Sequence, residues 1–425
     1  MHPNGESSDI SKQVRALRPA HGGTCFSLVD GRPLFISATI PGELVDVRVD
    51  SRRSKVSYGS AINILEPSAH RVPHIWTEAQ AKGVGGADLG HVGLDYQREW
   101  KTEVIKDQLA RVGGASTLQR VGDAVGEDAL RVRPASDPRA LNWRTRVDFE
   151  VSPAGRLAMK KETSNELVEI ETMPLAVESI LELGILLDSP WKQYLRPGKK
   201  VRIVAPNHGG RRVVIGNQVF NAANRRVTDR ADWEVRARGT VEKFSVAASG
   251  FWQAHVSAPA DLVELVLDGA RVQEGDAVIE LYAGAGLFTK FLGRELGPRG
   301  AIVSIEGSKE AVGFARQNLR GVEVDRDLRF GRVNSKSIMR AWSDLGERPY
   351  AIVLDPPRSG AGQDVINAIA AVGSSRVVLV SCDPAAGARD LAGLFDAGYQ
   401  LESFNALDLF PQTHHVEMVS VLTRK

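Results

Sequence analysis

The sequence predicts an α/β protein of several units: a small β-barrel at the N-terminus, a mixed α/β lobe in the middle, and a doubly wound, mostly parallel sheet at the C-terminus. Three observations predict it. Short alternating apolar runs with Gly-containing turns fill residues 14–64. From about Phe251 the pattern becomes apolar runs of strand length separated by helical periods. At 425 residues the chain is also too long for one ordinary core, so about two to four units are expected.

Taken in order, residues 1–12 are polar and Ser-rich and are expected to be a disordered tail. The barrel is assigned to 13–69, with apolar runs at 25–29, 34–36, 45–49 and 61–65 and turns at Asp30-Gly31 and Ile40-Pro41-Gly42-Glu43. Residues 70–246 form the central lobe. Within it, 94–112 places Trp100, Val104, Ile105, Leu109 and Val112 on one stripe, which predicts an amphipathic helix ended by Gly113-Gly114, its apolar face available to pack on the C-terminal domain. A second helix is expected over 175–187. The C-terminal domain, 247–425, has expected strands at 278–281, 301–305, 351–354, 377–380 and 416–422, and helices at 287–296, 308–319, 362–372 and 385–397.

Hydrophobic content of 43% and charged content of 25% are those of a soluble globular protein. No run approaches about eighteen apolar residues and the N-terminus has no apolar signal core, so a cytoplasmic protein without membrane contact is expected. Cys25 and Cys382 are the only cysteines, which excludes a disulfide framework and an all-cysteine metal site. The net charge of +2 conceals a basic stretch: between Pro190 and Ser245 thirteen Lys and Arg face four Asp and Glu. Such a local field can hold a phosphate backbone; the same count also describes a solvated Arg-rich surface.

In doubly wound sheets ligands sit beyond the carboxyl ends of the strands, where strand order reverses. Ala283-Gly284-Ala285-Gly286 follows the first strand, and its glycines permit a tight turn and close backbone approach to a ligand, as they also would in nicotinamide or flavin enzymes. Glu306, about twenty residues later, is placed to accept hydrogen bonds from ribose hydroxyls. Downstream, Ser381-Cys382-Asp383-Pro384 follows a buried-strand pattern, and His414-His415-Val416-Glu417 begins the next. A thiol and a carboxylate so placed can carry out nucleophilic addition followed by proton removal, the thiolate being strongly nucleophilic near neutral pH and the carboxylate raised in pKa by its apolar setting.

Together these strings resemble the RNA uracil-5-methyltransferase family, which uses S-adenosylmethionine. Ser-Cys-Asp-Pro with Arg389-Asp390-Leu391 and the run from Phe410-Pro411-Gln412-Thr413 to Glu417 resemble its catalytic signatures, and the barrel resembles the TRAM domain, an OB-like RNA-binding module. The resemblance implies a Rossmann-like methyltransferase domain, Cys382 as nucleophile toward carbon 6 of uracil, and Glu417 as the base that removes the carbon-5 proton. It assigns Gln253, Tyr282, Gly284, Gly286, Glu306, Asn334 and Asp355 to S-adenosylmethionine. Asp355, which opens Asp355-Pro356-Pro357-Arg358, is also a candidate for orienting the cysteine and the uracil. Ribosomal or transfer RNA is the implied partner, held by the barrel and the basic lobe, and no obligate protein partner is indicated. Two other readings stand beside this one: an amino-methyltransferase using the Asp-Pro-Pro loop, and an RNA-binding protein or folding factor without catalysis. Many family members hold an iron–sulfur cluster on four cysteines. The matching positions here are Val72, Val84, Ala87 and Met173, so no cluster is expected.

Overall fold

The computed structural model describes residues 11–52, 55–161, 164–187 and 190–424. Most of the expected tail, 1–10, lies outside them; Ser11 and Lys12, assigned to that tail, instead begin a strand because they pair with Arg48 and Val47.

Alternation over the first sixty residues builds a six-stranded sheet in the order Ser11–Arg15, Leu44–Arg52, Ser57–Glu66, Arg32–Ser37, Thr24–Val29, Arg18–Ala20. It curls until Ser27 Oγ donates to Arg15 O at 2.7 Å, enclosing Val14, Leu34, Ile36, Val45 and Val47. The Ile-Pro-Gly-Glu turn has a clear purpose. Gly42 takes φ +91°, and the fully buried Glu43 carboxylate accepts from Ile40 N, Ser68 N and the Arg71 guanidinium, tying the sheet to the chain that leaves it.

The central lobe is a second six-stranded sheet, wholly antiparallel: Leu167–Glu169, Leu157–Lys160, Arg146–Val151, Lys200–Val204, Arg212–Ile215, Gln218–Asn221. The helix expected over 175–187 is a correction: only Glu178–Leu181 is helical. Residues 175–177 are held extended because Arg144 N donates to Leu175 O and Val177 N donates to Arg144 O, and Gly184 turns left-handed at φ +62°. Tertiary backbone pairing overrides the local period there.

The C-terminal sheet has eight strands in the order Asp325–Phe330, Ala301–Glu306, Ala277–Leu281, Ala351–Leu354, Arg376–Ser381, Glu417–Thr423, Gln400–Asp408, Val132–Pro134. Only Glu417–Thr423 runs antiparallel to its neighbours. Two cores cover the faces, one built with the helices Ala258–Ala270 and Leu287–Leu296, the other with Gln363–Val372 and Pro384–Asp396. Two pieces of the stretch assigned to the central lobe join this domain. The hairpin Ala231–Ala237/Thr240–Val246 buries Trp233 and Phe244 in the first core, and Val132–Pro134 adds the last strand. The helix Leu94–Arg111 packs on Pro384–Asp396, with Trp100, Val104, Ile105 and Leu109 buried; Val112, placed on that stripe from sequence, is instead 40% exposed because the helix ends before it.

Candidate active site

The site is built by strand register. Ser381 pairs with Met418, so the next residues outward, Cys382 and Glu417, face each other where the two strands end. Leu354 pairs with Leu379 in the neighbouring strand, which brings Asp355 to the same edge. Asp383 and Pro384 then start a helix: Asp383 Oδ1 accepts from Ala386 N at 2.8 Å.

Three acids thus crowd one another. Burial, then the neighbouring Asp355, raises the Glu417 carboxyl well above the usual range, against the opposing pull of Arg358, and Glu417 is only 4% exposed. Burial pushes Asp355 up to about 7. The half-buried Cys382 thiol is pushed up to about 12 by burial, then by Glu417 and Asp355. The thiol therefore holds its proton near neutral pH until a neighbour takes it.

On the other side of the strand-order reversal, Tyr282, Gly284 and Gly286 all adopt positive φ, at 63°, 56° and 86°. A Cβ at Gly286 would lie 2.9 Å from Leu319 Cδ1, so that glycine is required by packing; at Gly284 a Cβ would meet nothing within 4 Å, which leaves that side of the loop open. Glu306 Oε2 accepts from Gly284 N at 2.9 Å and Oε1 from Ser308 N at 2.6 Å, fixing the carboxylate beside the open face. Burial raises the Tyr282 phenol to about 12. Asn334 is differently employed: its side-chain oxygen accepts from Ser337 N and caps the helix Ser335–Leu345. Gln253 is half-buried, and among the described residues its amide makes no hydrogen bond. Anchored acceptors at Glu306, an open glycine face, and at Asp355 a desolvated carboxyl that makes no side-chain hydrogen bond among the described residues fit a nucleoside that carries a cationic amino acid.

Beside this centre opens a cleft with Arg144, Arg358, Phe410 and His414 in its walls. His414 donates its backbone N–H to Asp88 Oδ2 at 2.7 Å, with its Nδ1 at 2.6 Å from the same oxygen; Arg358 contacts His415 Nε2 at 3.2 Å. His21, from the N-terminal sheet, lies 3.2 Å from Asp383 Oδ2. Although burial opposes it, that imidazole and the helix amides hold Asp383 at about 2. Sequence reading missed His21, Asp88 and Arg144; no local pattern marks the first two, whose partners lie hundreds of positions away.

The basic stretch is partly consumed by the fold itself. Arg211 bonds Glu182 Oε2 and Ser179 O, and Arg212 bonds the carbonyls of Gly210 and Arg230. Arg225 and Arg226 are exposed and form no ion pair among the described residues.

Comparison with known proteins places the chain. An RNA methyltransferase of Bifidobacterium longum is 35% identical over 99% of this chain and 98% of its own, and one of Streptomyces coelicolor 34% over 95% and 90%. Residues 228–425 match the family model of tRNA (uracil-5-)-methyltransferase, which starts upstream of the boundary expected at 247. The chain belongs to the RNA uracil-5-methyltransferase family. As a member it is a methyltransferase acting on RNA. Vibrio cholerae 23S rRNA (uracil(1939)-C(5))-methyltransferase is 27% identical over 97% of the chain and 96% of its own. In fold it resembles the Pyrococcus abyssi tRNA (uracil-54, C5)-methyltransferase solved with S-adenosyl-L-homocysteine, with a TM-score of 0.65 at 19% identity, covering 98% of this chain and 100% of that one.

The positions matching the iron–sulfur cysteines do not fit a cluster. Val84, Ala87 and Met173 lie in one packed core with Trp76, and Val72 is 37% exposed, so no thiolate is offered at any of them. Among the described residues no helix is long and apolar enough to cross a membrane.

Proposed function

We propose that this enzyme methylates carbon 5 of a uridine in ribosomal or transfer RNA through a covalent adduct between Cys382 and carbon 6. The observation that carries the proposal is the convergence of Cys382, Glu417 and Asp355 on three adjacent strand ends, where burial raises the pKa of all three.

The thiol sulfur bonds to carbon 6, its proton passes to the Asp355 carboxylate, and the ring electrons move onto the carbonyl at carbon 4 to give an enolate. S-adenosylmethionine, when bound, supplies the methyl group that carbon 5 accepts. With Asp355 neutral, the charge that after burial most disfavours ionised Glu417 is gone, and Arg358 favours its carboxylate. Glu417, having lost its own proton to solvent once Asp355 is neutral, then removes the carbon-5 proton as a carboxylate, the double bond re-forms, and the thiolate leaves. We assign Glu306, Gly284, Tyr282 and Gln253 to the nucleoside side of the cofactor; Asn334 contributes at most its amide nitrogen, since its oxygen caps a helix.

Two variants test this together. Cys382→Ala should abolish methylation and leave S-adenosylmethionine affinity unchanged. Glu417→Gln should trap the methylated adduct, seen as a slow protein–RNA band on a denaturing gel. A folded Glu417→Gln protein that turns over, or gives no adduct, removes Glu417 from the base role.

A further inference from the structure

The N-terminal sheet carries a row of rings on the side away from its core. Arg18 pairs in register with Phe26, Phe26 with Phe35, and Phe35 with Tyr58, so one residue from each of four adjacent strands forms a single line across the sheet. Phe35 and Tyr58 are stacked, with centroids 5.6 Å apart and planes at 25°; Phe26 meets Phe35 edge-on at 5.8 Å. The Arg18 guanidinium caps the row 4.6 Å above the Phe26 ring and is held there by Asp107 at 2.8 Å. The rings are not filling the core. That side is closed by Leu34, Ile36, Val45 and Val47, whereas Phe26 and Phe35 are half-buried, Tyr58 is 37% exposed and Leu28, on the same face, is 51% exposed.

We propose that this row is a base-stacking platform for unpaired RNA next to the target uridine. The inference rests on RNA being the substrate. Aromatic faces on a curled β-sheet with a cation at one end are what successive unstacked bases need, and stacking tolerates any sequence. Position on the molecule commits the occupant to the substrate strand. The turn before Phe26's strand docks on the catalytic centre: Gly22 lines the cleft and His21 reaches Asp383, the residue after the nucleophile. Phe26 stands two residues into that strand, on the order of 7 Å further on at the usual rise. RNA with its target base at the cleft therefore passes the platform with its neighbouring nucleotides.

The test uses the full chain and a fluorescein-labelled single-stranded oligouridine, with an abasic ribose-phosphate strand of equal length as control. Tyr58→Ala and Phe35→Leu, the second keeping apolar volume, should each weaken oligouridine binding roughly five- to hundred-fold. Abasic binding and the salt slope should not move, and Tyr58→Phe should bind as the parent does. Unchanged oligouridine binding, the outcome for a purely structural ladder or a protein-docking face, overturns the proposal. Equal losses for both strands overturn it too, because they signify backbone contact. Methylation at saturating RNA separates this from the proposed chemistry: if uridine carbon-5 transfer fails in the parent protein while oligouridine binding still depends on the rings, the chemistry falls and the platform stands.

Discussion

Lys101→Met is the sharpest probe of how the site is held. Lys101 Nζ lies 2.6 Å from Asp408 Oδ1 and 3.1 Å from the Phe410 carbonyl, and the two side chains are 0% and 1% exposed. Removing one partner of a buried ion pair costs about 3–5 kcal/mol, because the other charge stays behind without compensation. Asp408 is poorly placed to absorb the loss: its Oδ2 has no hydrogen-bond partner, and Arg98 Nε stands 3.9 Å away. The expected loss is thus about 3–4 kcal/mol. Lys101→Met/Asp408→Leu, which removes both members of the pair and leaves Arg98 bonded to Asp95, should recover most of it. Because the segment from Phe410 to Glu417 begins at this pair, hydrogen exchange of its amides should quicken in the single variant and turnover should fall. Urea unfolding of the three proteins supplies the free energies. A loss below about 1 kcal/mol, or a double variant no better than the single one, would refute the reasoning.

Two other outcomes follow from the structure. Glu280 is 1% exposed and burial raises it to about 7, partly opposed by Thr289 and Ser304; the resulting penalty is absent below about pH 4.5, grows until the folded pKa and is constant above it, so Glu280→Gln should stabilise the protein at pH 8, by up to about 3 kcal/mol, and scarcely at pH 4.5. Melting temperatures of both proteins at the two pH values decide it, and a uniform loss would contradict it. Arg225→Glu with Arg226→Glu should raise KM for RNA and flatten its salt dependence in methylation assays, whereas reversing Arg211 and Arg212 should chiefly lower stability, their guanidinium groups being bonded within the fold.

The strands of the C-terminal sheet were legible because they are buried on both faces and read as continuous apolar runs: Ala351–Leu354 is fully buried. Asp325–Phe330, Gln400–Asp408 and Val132–Pro134 were not; the first, an exposed edge strand spelled Asp-Arg-Asp-Leu-Arg-Phe, has no apolar period and is held by its pairing with Ala301–Glu306. Cys382 and Glu417 could be picked out from their neighbours in the chain, yet the elevated thiol pKa could not, because it arises from burial in the assembled site and then from Glu417 and Asp355 arriving at one edge from separate strands. Lys101 reads as a solvated helix charge until Asp408, 307 positions on, is brought to it.

The strand Val132–Pro134 belongs to a sheet whose adjoining strand, Gln400–Asp408, is synthesised about 270 residues later. At ordinary translation speeds of about 5–20 residues per second it waits tens of seconds for that neighbour. The edge of this sheet therefore closes only once Gln400–Asp408 has left the ribosome. A gene cut at residue 247 would yield two fragments that each lack part of one sheet, and prematurely ended chains would expose an unpaired edge for chaperones and proteases to find.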